Sequence, residues 1–232
     1  MTNAFPFSNQ LLFIVFPYVA MLTFFLGTIM RYQKAPYTYS SLSSQFLENR
    51  RHFWGLVPFH YGIVAVLVGH IVAFLLPRQF LAWDSRPLRL YVLEISALIF
   101  GLLTVVGLVG VIARRLTVSK VRVVTNGFDW VVLSLLFVQT ISGVYVAIVH
   151  PWGSAWFAAA ISPYLWSLVR FNPDIGYVSM MPWGVQLHIV MAYIIICTAP
   201  FTRLVHILVA PNPYLWRRPQ VVRWYRAQKE VS

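Results

Sequence analysis

The chain has 232 residues, 59% of them hydrophobic and only 10% charged. A soluble domain carries roughly a quarter of charged residues, so this composition excludes a water-soluble globule and suits the lipid bilayer. Eighteen Lys and Arg stand against six Asp and Glu; in so apolar a chain that surplus reads as topology-setting loops and contact with anionic lipid, not as a nucleic-acid surface.

A membrane-crossing helix takes about 20 mostly apolar residues. Five stretches have that length: 9–30, 53–76, 90–113, 128–149 and 185–209. Polar backbone groups in hydrocarbon must be bonded internally, and runs this long and continuous are helices and not barrel strands. The expected fold is an all-α membrane protein, a five-transmembrane-helix bundle forming one domain over 1–232. No small-residue cleavage site follows the first run, which is read as a retained span. The single Cys197 lies in an apolar run. One cysteine forms neither an internal disulfide nor a cysteine-ligated cluster, so no iron–sulfur centre is expected on this chain.

Charge sets the direction. Arg31, Lys34, Arg50 and Arg51 precede the second span, and Arg114, Arg115, Lys120 and Arg122 follow the third. The tail adds Arg217, Arg218, Arg223, Arg226 and Lys229. The opposite side holds only Arg78, Arg86, Arg89 and Arg170. The positive-inside rule then places the N-terminus outside and the C-terminal tail in the cytoplasm of a cell-membrane protein. The outer loop 151–182 contains Trp156, Phe157, Tyr164 and Trp166 but is too short and interrupted to span. An aromatic interfacial helix covering that face is expected there.

Four of the six histidines lie inside spans: His60 and His70 on the second, His188 and His206 on the fifth. Ionisable groups at membrane depth are expensive and mark function. A lone buried histidine is more often structural, but two on each of two helices can hold two haems as neutral axial ligands. The two helices run antiparallel, so similar depth pairs His70 with His188 towards the outside and His60 with His206 towards the inside. On a continuous helix the 18-residue separation of His188 and His206 is about five turns, ~27 Å on one face; the 10-residue separation of His60 and His70 is ~15 Å with faces about 80° apart. An iron–iron distance on the order of 20 Å would reconcile them. His52 and His150 sit at span ends and read as interfacial. Gly69 offers room for a flat cofactor. Arg114, Arg115 and Arg203 lie near the inner surface as candidate partners of haem propionates.

These residues belong to longer stretches: Arg31-Tyr32 through Ser43-Ser44-Gln45, Phe59-His60-Tyr61-Gly62-Ile63 leading to Val68-Gly69-His70, Arg114-Arg115-Leu116 through Thr125-Asn126-Gly127, and Leu187-His188 through Arg203-Leu204-Val205-His206-Ile207. Together they resemble the gamma subunit of respiratory nitrate reductase, a dihaem cytochrome b, over most of the chain. The resemblance implies five spans and quinol (ubiquinol or menaquinol) oxidised near the outer haem, with protons released on that side. Two electrons then pass through two b haems to a cytoplasmic iron–sulfur subunit, and from it to a molybdenum catalytic subunit. It also implies that His70 and His188 ligate the outer haem iron, and His60 and His206 the inner. The family's quinol pocket uses a lysine after the second span; the nearest basic residue here is Arg89, which donates hydrogen bonds but cannot act as a base. Glu94 is the candidate proton acceptor. Some relatives exchange electrons with an extra cytochrome c on the outer face, and the loop 151–182 is a candidate docking surface for one. Two other readings share parts of the pattern: the cytochrome b anchor of another quinone-linked reductase, and a haem-free anchor or transporter.

Overall fold

A computed structural model describes residues 7–34 and 49–208, the side chains of 49–54 and of Lys120 apart. The stretch Ser43-Ser44-Gln45 and the basic tail lie outside the described residues. The elements are α1 (Phe7–Lys34), α2 (Asn49–Leu75), α3 (Pro77–Asp84), α4 (Pro87–Thr117), α5 (Ser119–Val123) and α6 (Gly127–Val149). Then come α7, running over 153–169 through a π turn at Phe157–Ile161, α8 (Gly176–Ser179) and α9 (Trp183–Thr198). Five helices are long and apolar enough to cross a membrane, and no strand occurs among the described residues. Leu22, Leu26 and Ile29 on α1 and Val64, Val68 and Ile71 on α2 are exposed, a surface only lipid tolerates at this density.

Two features of sequence start the helices. Pro77 and Pro87 stand at the first turns of α3 and α4, where a missing N–H is no loss. Asn126 caps α6: its side chain accepts from the Asp129 N–H at 2.9 Å, and the Asp129 carboxylate accepts from the Asn126 N–H at 3.0 Å. This reciprocal pair satisfies two of the otherwise unbonded donors of a helix start.

The spans pack in the order α2, α4, α6, α9, α1. The α2–α4 crossing is the tightest, because glycines let the backbones meet. A Cβ on Gly107 would stand 2.7 Å from Phe59 Cα and 2.9 Å from the Gly55 carbonyl oxygen. Among the described residues α2 makes no extended contact with α9, so the bundle is open on the side between the two histidine-bearing spans.

The fifth span departs from the sequence expectation of one helix over 185–209. The α-helix stops at Thr198, and the chain continues as 3-10 turns, Ala199–Phe201 and Arg203–Leu208, around an extended Thr202. Pro200 is the cause: it has no N–H to donate, and its ring clashes with the carbonyl four residues back. Arg31 of α1 bonds the freed carbonyls of Pro200 and Thr202 at 2.6 and 2.8 Å. His206 therefore does not sit on a helical face shared with His188.

The loop 151–182 forms a helix, α7, as expected, and it is tied down. Ser162 and Trp166 donate to the carbonyls of Ala73 and Phe74 at 3.0 and 2.9 Å, satisfying the end of α2. Tyr164, fully buried, donates to the Phe13 carbonyl at 2.8 Å. That carbonyl lies in a π turn of α1, Leu11–Val15, where a widened turn frees backbone acceptors. Tyr193 in turn donates to the Tyr164 oxygen at 3.4 Å. Tyr164→Phe removes this link and leaves a buried acceptor unbonded, at about 1–3 kcal/mol. The apparent unfolding midpoint in detergent should fall by roughly 2–4 °C for each kcal/mol, as read by scanning fluorimetry.

Candidate functional site: two histidine pairs on the open side of the bundle

Arg31, Arg115 and Arg203 gather at one end of the bundle, the basic end, and there His60 and His206 come together. Their ring centroids lie 6.4 Å apart with planes inclined at 63°. The His60 Nδ1–H donates to the Leu56 carbonyl at 2.8 Å, and the His206 Nδ1–H to the Arg203 carbonyl at 2.6 Å. A carbonyl only accepts, so each Nδ1 carries a proton, and in the neutral ring each Nε2 keeps a bare lone pair. Metal–imidazole bonds are about 2 Å and a ring centre lies about 1 Å beyond its nitrogen, so two imidazoles on opposite faces of one iron have centroids about 6 Å apart. The observed separation fits a bis-histidine haem. Among the described residues no three His, Cys, Asp or Glu side chains converge as around a bare metal ion; a pair suits a porphyrin, which supplies the other four donors.

At the opposite, aromatic end the rings of His70 and His188 are not in contact. His70, exposed on α2, donates from Nδ1 to the Val66 carbonyl at 2.8 Å, and Phe157 of α7 stands edge-on to its ring with centroids 5.1 Å apart. His188 lies within electrostatic reach of His70. The Ser142 hydroxyl donates to the Gln139 carbonyl at 2.9 Å, which leaves its oxygen to accept the His188 Nδ1–H at 2.9 Å. The Gln139 amide then donates to His188 Nε2 at 3.3 Å. Gly143 completes the seat, since a Cβ there would stand 2.9 Å from the His188 Cε1. Gly69, beside His70, has nothing within 4 Å of the corresponding position, so a flat group has room there.

The arginines take a partner that sequence reasoning missed. Asp129, 4% exposed, accepts from Arg203 Nε at 2.8 Å and Arg115 Nη1 at 3.4 Å. Its signal was present as the Asn126-x-x-Asp129 start of the fourth span. Gln139, Ser142 and Phe157 were missed as well; the first two were visible as polar residues inside a span. Arg114 lies half-buried at the same end.

On the aromatic side Arg89 is exposed, with its guanidinium 4.8 Å above the Trp83 ring. Glu94 Oε1 accepts the Ser154 N–H at 2.7 Å. Nearby Asp84, 7% exposed, has no hydrogen-bond partner on either carboxylate oxygen. Burial raises the Asp84 pKa above 3.8; the Ser154 hydroxyl pulls it down and the Glu94 charge pushes it up again. A raised folded-state pKa means the folded state holds the proton more tightly, so ionised Asp84 detracts from stability above that pKa. The penalty fades as pH falls towards the unfolded value. Asp84→Asn should therefore raise the apparent unfolding midpoint at pH 7–8 by a few degrees, the scale of about 1 kcal/mol in a chain of this size. The gain should shrink on titration towards pH 4.

Fold and site define a multi-pass helical membrane protein in which His60 and His206 meet at the basic end and His70 and His188 lie at the aromatic end. The family model described as nitrate reductase gamma subunit matches residues 9–225. The respiratory nitrate reductase 2 gamma chain of Escherichia coli K12 is 34% identical over 93% of this chain and 96% of its own length. The nitrate reductase gamma chain of Bacillus subtilis 168 is 31% identical over 93% and 98%. A more distant match, 28% identical over 51% of this chain and 39% of the relative, is one chain of a dihydromethanophenazine:CoB–CoM heterodisulfide reductase from Methanosarcina barkeri. The chain belongs to the nitrate reductase gamma subunit family. It is thus a membrane subunit of a respiratory nitrate reductase, in complex with that enzyme's other subunits.

Proposed function

We propose that this subunit oxidises quinol at the aromatic end, facing outwards, and carries electrons through two b haems to an iron–sulfur subunit at the cytoplasmic basic end, which feeds a molybdenum catalytic subunit. The observation that supports this best is the placement of one histidine pair at each end, with bare Nε2 lone pairs at the basic-end pair.

His60 and His206 would hold the inner haem iron, and His70 and His188 the outer. His188 would offer the Nε2 that the Gln139 amide now faces, and would keep Ser142 as the acceptor that orients its ring. Haem, once bound, supplies one-electron redox chemistry. The chain supplies spacing, a dry setting and control of protons. Arg114 and Arg115 stand at the basic end as partners for the haem propionates, while Arg203 is engaged by Asp129 and Val124. Near Gly69 and His70, Arg89 donates to a quinol oxygen. Glu94, one oxygen committed to Ser154, takes the proton on the other and delivers it outside. Protons leaving outwards while electrons travel inwards would build a proton-motive force.

The test is a dithionite-reduced minus oxidised spectrum with haem quantitation on the purified complex, followed by reduction with a quinol. Two b haems per chain, both reducible by quinol, are expected. Absence of a Soret band, or a single haem per chain, overturns the reading.

A further inference from the structure

His60, His70 and His206 all direct an Nδ1–H at a backbone carbonyl, but their supports differ. His60 and His70 bond the carbonyls of Leu56 and Val66, four residues back on an unbroken α-helix. His206 bonds Arg203, three residues back on a 3-10 turn beyond the Pro200 break. Such a turn is short and its hydrogen bonds are poorly aligned, so its register needs an external anchor. Arg203 provides one. Its Nε meets Asp129 at 2.8 Å and its Nη2 donates to the Val124 carbonyl at 3.1 Å, both on the corner leading into α6. Asp129 is also fixed by the Asn126 N–H and by Arg115, which in turn donates to Thr125 Oγ1 at 3.0 Å. A buried carboxylate is tolerated only when paired and bonded in this way.

We propose that Asp129 is a positioning residue for His206: through Arg203 it holds in place the carbonyl that orients the imidazole at the basic end. The chain of contacts runs from Asp129 carboxylate to Arg203 side chain and from Arg203 carbonyl to His206 Nδ1–H, and leaves His206 Nε2 to the iron. The same charge-assisted anchor explains why a guanidinium stands three residues before a histidine within an apolar run. This inference rests on the proposed ligation of haem by His206.

The experiment uses the intact complex carrying Asp129→Asn or Asp129→Glu. It reads haem content, the low-spin haem signals by electron paramagnetic resonance, and the redox titration of each haem. With Asp129→Asn the inner haem should be lost or its signal shifted, haem content falling from two towards one per chain, while the outer haem keeps its signal and potential. Asp129→Glu should restore part of the inner signal. Should Asp129→Asn remove both haems through misfolding, Arg203→Gln reads the same link with the α6 cap intact, and the same selective change is expected. Wild-type signals at both haems in Asp129→Asn, or wild-type signals in Arg203→Gln, overturn the proposal. A wild-type complex without two haems would instead overturn the functional reading beneath it.

Discussion

His206→Ala should abolish one of two b-haem signals, halve the haem per chain, and stop electron delivery to the iron–sulfur partner. Under the proposed ligation the ring would supply one of two protein ligands to its iron, and alanine brings no donor. The opposing ring, His60, lies 6.4 Å away by centroid and would offer only one nitrogen of its own. His60→Ala should therefore give the same spectrum, and the double variant should be no worse than either single one, because the two side chains act as one unit. His70→Ala and His188→Ala should remove the other signal and leave this one. Complete loss of the inner haem would break the proposed electron path, so quinol-dependent nitrate reduction should fall to background. Difference spectra of the four single variants, assembled with their partner subunits, check this. One haem lost in His60→Ala and a different one in His206→Ala would break the pairing.

Pairing these histidines by depth takes only the order of spans and the positions of four residues, all legible in the sequence. The spans were legible because hydrophobic runs of about 20 residues have one stable solution in lipid. The end of the fifth was not, because a hydropathy pattern is blind to hydrogen-bond geometry. Pro200 is apolar enough to continue the run while removing the donor that would continue the helix. The 18-residue spacing of His188 and His206 was thus read on a ladder that breaks in between. Asp129 escaped notice for a related reason: its place beside Arg115 and Arg203 depends on how α4, α6 and the 3-10 turn converge. Sequence separations of 14 and 74 residues say nothing of that. The helix in the loop 151–182 is legible from its aromatic pattern, but its hydrogen bonds to Phe13, Ala73 and Phe74 require the fold.

Gly107→Ala should be among the most damaging additions of a single methyl group to the spans. The added Cβ would meet Phe59 Cα at 2.7 Å and the Gly55 carbonyl at 2.9 Å. These are backbone atoms, and no side chain can rotate away to relieve them. Helices α2 and α4 must separate by most of an ångström, which undoes the close small-residue packing that holds spans together in lipid. Overpacking of this kind costs about 1–3 kcal/mol, so the apparent midpoint should drop several degrees, at roughly 2–4 °C per kcal/mol. The damage should also be local. Phe59 precedes His60, and the T-shaped Phe59–His60 contact at 5.1 Å moves with it, so the His60 ring shifts away from His206. The inner haem should therefore be lost before the outer one. Gly69→Ala is the counterpart: its Cβ meets nothing within 4 Å, so the midpoint should stay at the wild-type value, and any change should fall on the outer haem or on quinol. A Gly107→Ala protein with wild-type yield, midpoint and both haem signals would mean that α2 and α4 do not cross at that glycine.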